Sequence, residues 1–154
     1  SQALASGHYD TVNWRDNIFA PLALENETKD HTLIWPQTGS LSVQGDATLL
    51  RLMLRNLLEN AVRYSPAGTT IEVRMQEVDD GTLVSVCDQG PGIDEAHRQS
   101  ITEPFRRIDQ RYGGSGLGLS IVQRIVQLHR GKLTLENRPE GGLTVGCWIP
   151  TKLN

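Results

Sequence analysis

The chain has 154 residues, of which 38% are hydrophobic and 21% charged, with a formal net charge of −3. That length fits one domain able to bury about 68–70% of its unfolded surface, and the composition excludes a disordered chain. The slightly acidic total excludes a general basic field for nucleic acid or an anionic membrane. With no signal-peptide pattern and no apolar run of about 18 residues, the chain is expected neither to span a membrane nor to carry its own export signal.

Residues 1–10 are small and polar without periodicity and read as a linker remnant, which leaves 11–154 as the domain. Within 12–30, Trp14, Ile18, Phe19, Leu22 and Leu24 recur at roughly helical spacing and predict an amphipathic helix, with Pro21 marking a kink or break. Apolar runs at 32–35 and 41–43, bounded by Pro36, Gly39 and Gly45, predict two strands paired with each other. Asp46 is a good N-cap for a helix running to about Tyr64. Leu49, Leu50, Met53, Leu54, Leu57, Leu58 and Ala61 cover one broad side of it, and residues 65–68 (Ser-Pro-Ala-Gly) stop it.

Residues 70–76 alternate and 83–87 are apolar, so the Asp79-Asp80-Gly81 turn between them predicts an antiparallel hairpin. A short helix over 94–101, a glycine- and arginine-rich loop over 105–115 and a strong helix over 117–129 follow, the last ending at Gly131 as a C′ residue. Residues 132–136 and 143–149 form a final hairpin around 139–142. Hairpins with helices between them predict an α+β fold, a two-layer α/β sandwich whose mixed, mostly antiparallel sheet has helices on one face. Cys87 and Cys147, each inside an apolar strand, are expected to be reduced and buried.

Four short motifs carry chemistry. On the long helix, Asn56, Asn60 and Arg63 are spaced by four and three and share one stripe. A solvated polar stripe is one explanation. The other is a ligand site, because a carboxamide oxygen suits Mg²⁺ and a guanidinium can grip phosphate bidentately. Asp88-Gln-Gly90-Pro-Gly92 ends a buried-looking strand. It is either an ordinary turn or a base reader, whose glycines allow close approach and whose carboxylate accepts the exocyclic amine of adenine.

Residues 105–115 combine Phe105 with Arg106, Arg107 and Arg111 and a glycine hinge at 113–114, the composition of a lid over bound phosphates. Gly114, Gly116 and Gly118 precede a helix N-terminus, where free N–H groups and the helix dipole favour phosphate. No parallel strand–loop–helix unit starts there, and no Gly-Lys-Ser/Thr closes the loop. A dinucleotide-binding fold and a Walker loop therefore do not fit.

In this order, the motifs make the chain resemble the catalytic and ATP-binding domain of bacterial sensor histidine kinases, within the gyrase–Hsp90–histidine kinase–MutL superfamily with its Bergerat-type ATP-binding fold. Residues 56–65 resemble the asparagine box, 88–92 the first glycine box, 105–108 the phenylalanine box and 114–119 the second glycine box. Residues 141–144 resemble the final glycine-threonine motif. The likeness covers roughly residues 10–150, and 43–51 with 111–114 point to a narrower group of enteric sensor kinases.

The resemblance implies the following roles. Asn60 would ligate Mg²⁺, Asn56 would support metal and phosphates, and Arg63 would hold phosphates. Tyr64 would stack beside adenine, and Asp88 would bind its amine. Gly90, Gly92 and Ile93 would shape the base pocket. Phe105 and Arg107 would form the lid, Gly114, Gly116, Leu117, Gly118 and Leu119 the phosphate end, and Thr144 would complete the site. Ile108 departs from the pattern by standing where a second phenylalanine is common.

At Asn56 the superfamily's ATPases hold a water-activating glutamate. Asparagine has no proton-accepting pKa for that task, so the γ-phosphate is expected to hydrolyse slowly and be kept for another acceptor. Glu59 is a candidate local base, and Asn56, Glu59 and Arg107 are the expected catalytic residues. The acceptor would be a histidine in a separate dimerisation domain, for relay to a response regulator. None of His8, His31, His97 or His129 lies in such a motif, and His129 reads as a helix C-terminal residue stabilised by partial positive charge.

The chain therefore reads as a fragment, monomeric by itself, of a homodimeric inner-membrane sensor with this domain in the cytoplasm. It is expected to be a histidine kinase that uses ATP and Mg²⁺ and has no nucleic-acid partner. Two other uses of the fold stand beside that: an anti-sigma-type serine kinase and a catalytically silent nucleotide-sensing module.

Overall fold

In the computed structural model of the protein, the described residues are 9–25, 30–37, 39–90 and 117–153. The strands are β1 (Asp10–Asn13), β2 (Thr32–Ile34), β3 (Ser42–Gly45), β4 (Thr70–Val78), β5 (Gly81–Cys87), β6 (Lys132–Asn137) and β7 (Leu143–Pro150). The helices are α1 (Ala20–Glu25), α2 (Ala47–Tyr64) and α3 (Leu117–Leu128). A π-helical turn, Trp14–Phe19, leads into α1. None of the described helices is long and apolar enough to cross a membrane.

Among the described residues the main sheet runs β2-β4-β5-β7-β6, antiparallel except for the parallel pair β2–β4. Successive strand residues point to opposite faces. Ile71, Val73, Val84, Val86, Val145, Cys147, Ile149 and Leu135 therefore share one face, and they form a single core with the apolar sides of α2 and α3. Each fully buried Leu or Ile in that core contributes about 1.5–3 kcal/mol relative to exposure. Glu72, Arg74, Thr144 and Trp148 project from the other face, so the architecture is the expected two-layer α+β sandwich. Cys147 pairs with Val84 and Cys87 with Thr144, so the two cysteines lie three register positions apart on opposite faces of the sheet. Both are buried free thiols, and burial pushes Cys147 up to about 12.

Three elements depart from the sequence reading. Residues 10–13 form a strand rather than the start of a helix. β1 pairs antiparallel with β3 (Asp10↔Gly45 to Asn13↔Ser42), forming a separate two-stranded sheet. The expected partner of β3, β2, instead lies parallel to β4 at the edge of the main sheet. Hydropathy marked both segments as strands, but choosing partners across the chain needs tertiary information.

The first helix also starts differently, capped by Asn13, whose Oδ1 accepts from Asp16 N–H at 2.9 Å while its own N–H donates to Asn17 Oδ1 at 2.7 Å. It winds with i→i−5 bonding, as in Ala20 N–H to Arg15 O, before Pro21, whose ring removes a backbone donor.

Turn chemistry explains two further details. Val78 pairs with Gly81, so the hairpin loop is Asp79-Asp80, both left-handed at φ 47° and 58°, as a type I′ turn requires. Gly81 is already in the strand, and it must be glycine because a Cβ there would lie 2.6 Å from the Trp148 indole. At the end of α3 the left-handed residue is Arg130 (φ 59°), not Gly131. Gly131 is required for space: a Cβ would press into the Trp148 carbonyl oxygen at 2.0 Å.

Candidate functional site

The asparagine-bearing helix is built as expected. Asp46 Oδ1 accepts from Leu49 N–H at 3.0 Å, and the last turn closes with Ser65 N–H on Ala61 O at 3.1 Å. With Leu50, Met53, Leu54, Leu57, Leu58 and Ala61 committed to the core, Asn56 and Asn60 are left half-buried at its margin, while Glu59 and Arg63 are exposed. Asn56 Nδ2 is buried and has no hydrogen-bond partner among the described residues. A buried amide donor without a partner costs about 1–3 kcal/mol, and an acceptor oxygen supplied by a ligand would remove that cost. The Arg63 guanidinium carbon lies 5.8 Å from the Tyr64 ring centroid, a cation–π contact that keeps both groups at the helix end.

The end of α2 meets the loop after β5. A Cβ on Gly90 would stand 2.7 Å from the Tyr64 carbonyl oxygen, so only glycine permits this approach. Asp88 occupies the corner between them. Its Oδ1 accepts two backbone bonds, from Gly90 N–H at 2.9 Å and Leu143 N–H at 3.0 Å. Its own N–H donates to Leu143 O at 2.9 Å, and its carbonyl accepts from Arg138 Nη1 at 2.7 Å. Oδ2 takes no hydrogen bond among the described residues. Burial pushes this carboxyl above its ordinary range, opposed by the Gly90 and Leu143 N–H groups and by the Arg138 charge. The result is a fixed carboxylate with one oxygen still able to accept.

Not every expected residue converges on this corner. Thr144 pairs with Cys87, and its hydroxyl donates to Cys87 Sγ at 3.5 Å on the sheet face away from the helices. Its side chain is therefore not brought to the α2 stripe. Leu119 is buried in the core, so only its backbone could serve a ligand. Leu117 and Gly118 open α3 as expected. Gly92, Ile93, Phe105, Arg107, Gly114 and Gly116, with Arg106, Ile108 and Arg111, lie outside the described residues. No cluster of three or more His, Cys, Asp or Glu able to hold a metal occurs among the described residues. A metal held by Asn60 would thus rely on phosphate and water oxygens for its remaining ligands.

Sequence reasoning missed Arg138, and it read Gly142 only as part of a motif and His129 only as a helix-end cation. Arg138 and Gly142 fix Asp88 from the β6–β7 turn, and the Gly141-Gly142 pair was the only signal of that turn's tight geometry. His129 was misread. It is wholly buried, its Nε2 accepts from Asp46 N–H at 3.1 Å, and its Nδ1 donates to Ile125 O at 2.9 Å. A backbone N–H can only donate, so the ring is neutral with its proton on Nδ1. Burial lowers its pKa, outweighing the Ile125 carbonyl and the Asp46 charge. Rather than a cation at a helix end, it is a neutral bridge joining α3 to the start of α2.

A family profile described as histidine kinase-, DNA gyrase B-, and HSP90-like ATPase matches residues 45–153. The sensor protein BasS of Escherichia coli K12 is 46% identical over 156 aligned positions covering 98% of this chain and 42% of BasS. The chain thus spans less than half the length of that relative. Among solved structures, the nucleotide-free catalytic domain of histidine kinase ThkA superposes with a TM-score of 0.78 at 28% identity, covering 94% of this chain and 97% of that domain. The mycobacterial sensor histidine kinase MprB gives 0.77 at 28% identity, with 94% and 98% covered.

Proposed function

This chain belongs to the histidine kinase-, DNA gyrase B- and HSP90-like ATPase family, and from that premise we propose that it holds Mg·ATP and presents the γ-phosphate to a histidine on a dimerisation domain elsewhere in a longer sensor protein. The observation that carries this reading is the Asp88 corner: a carboxylate with one oxygen held by two backbone N–H groups and the other left to accept the adenine amine. Guanine presents a carbonyl at that position, so the same oxygen would repel it. The matched relatives are sensor proteins and histidine kinases, so the serine-kinase use of the fold is not favoured.

In this reading Asn56 and Asn60 face the phosphates and the metal, and Asn56 Nδ2, without a partner among the described residues, supports it by offering a donor to an acceptor oxygen. When bound, Mg²⁺ neutralises charge on the β- and γ-phosphates. The protein's part is positioning. Arg63 lies at the phosphate side of Tyr64, Gly90 keeps the base against the helix end, and Gly92 and Ile93 complete the base side. Phe105, Arg107, Gly114, Gly116, Gly118 and the start of α3 would cover the phosphates. Asparagine at position 56 cannot activate water, so ATP is retained until a histidine acceptor arrives, with Glu59 the nearby candidate base.

We place the parent protein in the inner membrane as a homodimer, with this domain on the cytoplasmic side. The phosphoryl group would then pass to a response regulator, a PmrA-like one by the kinship with BasS. Mg·ATP should raise the melting temperature of the chain by several degrees, as a ligand present at 100 times its Kd adds about 2.7 kcal/mol. Asn60→Ala and Asp88→Ala should each abolish the rise, and an unchanged rise in both variants would refute the assignment.

A further inference from the structure

We propose that Arg138, on the turn between β6 and β7, is a positioning residue for nucleotide binding: its guanidinium clamps the Asp88 peptide so that the free carboxylate oxygen faces the base. The inference rests on the reading of Asp88 as the adenine contact. Arg138 is not part of any motif singled out in the sequence, yet its side chain is only 16% exposed. Nη1 donates to Asp88 O at 2.7 Å, and Nη2 reaches the exposed Glu140 carboxylate at 2.9 Å. One planar fork thus bridges the end of β5 to the turn, and a compact ammonium cannot reproduce both arms.

The turn is built around that contact. Arg138 N–H donates to Gly142 O at 2.9 Å, and Gly141 N–H donates back to Arg138 O at 3.0 Å. Gly141 and Gly142 take left-handed φ values of 100° and 106°. A Cβ on Gly142 would lie 2.0 Å from Asp88 O, the atom Arg138 holds. The next residue, Leu143, supplies both an N–H to Asp88 Oδ1 and a carbonyl to Asp88 N–H. Three of the four polar atoms of Asp88 are therefore positioned by residues 138–143, which leaves Oδ2 as the one atom the turn does not engage. The Gly90 N–H that holds Oδ1 lies two residues beyond the Asp88 carbonyl, so a shift of that carbonyl displaces the donor that orients the carboxylate and turns Oδ2 with it. The Arg138 charge also lies close enough to favour the ionised carboxylate, the form that accepts from an amine.

The test compares Mg·ATP and Mg·GTP affinities, by calorimetry on the full chain, with the melting temperature in the absence of nucleotide. Loss of a charged donor's bond corresponds to roughly a tenfold effect or more. Arg138→Gln should weaken ATP at least tenfold and narrow the ATP-over-GTP preference, with the nucleotide-free melting temperature lowered by only a few degrees. Arg138→Lys, keeping the charge and one donor, should recover to within roughly threefold of the native affinity. Asp88→Asn separates the two claims. If that variant binds ATP as well as the native chain, the adenine-contact reading fails. If it loses binding while Arg138→Gln keeps native affinity and base preference, the clamp alone is overturned. Should Arg138→Gln fail to fold, Arg138→Met, which has no donor, carries the test: a native ATP-over-GTP ratio with no change in Kd overturns the proposal.

Discussion

His129 and Asp88 are both buried polar side chains at the ends of secondary-structure elements, and both are held by backbone groups. At His129 every polar atom of the side chain is used: one ring nitrogen accepts from Asp46 N–H and the other donates to Ile125 O. At Asp88 one oxygen is doubly satisfied and the other takes no bond from a described residue. The first arrangement is closed and serves the fold. Among the described residues the second is left open on one side, and a polar atom that they stop short of satisfying is where a ligand can add free energy. Burial and perturbed titration alone would have ranked the two alike.

Substitutions can break this contrast or sharpen it. The largest loss is expected from Gly142→Ala, which forces a Cβ onto Asp88 O at a left-handed φ and should destabilise the chain by about 3 kcal/mol or more, read by urea unfolding. His129→Ala should cost about 2–4 kcal/mol, because it strands Asp46 N–H and leaves a cavity. If the junction is purely structural, the folded fraction of that variant binds ATP within twofold of native, and a larger change in affinity would erase the contrast.

Asp88→Asn should reverse the pattern, abolishing ATP binding while nucleotide-free stability at neutral pH holds or rises. The sign follows from its raised pKa: the favourable contribution of Asp88 is complete below the unfolded value near 3.8 and is lost as pH climbs through the folded value. His129 runs the other way. With its folded pKa lowered, its stabilisation is complete above the unfolded value of 6.5 and declines as pH falls from there, so thermal melts from pH 7.5 to 5 should slope downward in the native chain and flatten in His129→Phe. The smallest effect belongs to Glu25→Gln. The 2.8 Å bridge from Arg55 to Glu25 is exposed on both sides, and its loss should cost no more than about 0.5 kcal/mol.

Much of this molecule was legible before any coordinates. The α2 helix announces its N-cap, its apolar side and its stop, and the β4–β5 and β6–β7 hairpins announce themselves by alternation and turns. These are local signals, decided within about twenty residues. The β1–β3 and parallel β2–β4 pairings were not legible, because short apolar runs carry no record of a distant partner. For the site, Asn56, Asn60, Asp88 and Gly90 stood out because carboxamides and glycines are unusual choices where they occur. Arg138 did not, since an arginine beside a turn is ordinary until its carbonyl partner is known. Thr144 was visible as part of a motif, but its register with Cys87 turns it to the opposite face of the sheet.

The register that joins β5 to β7 also bears on the order of folding. Asp88 and Leu143 are 55 positions apart, while the two flanking hairpins close over loops of a few residues. Loop-closure entropy favours the hairpins first and delays the central pairing, which must draw the whole intervening chain with it. The corner around Asp88 is therefore absent from every partly assembled form that lacks the β5–β7 ladder. Capture of nucleotide through Asp88 would then report that the central β5–β7 pairing has formed, so a chain that binds is one that has joined its two hairpins.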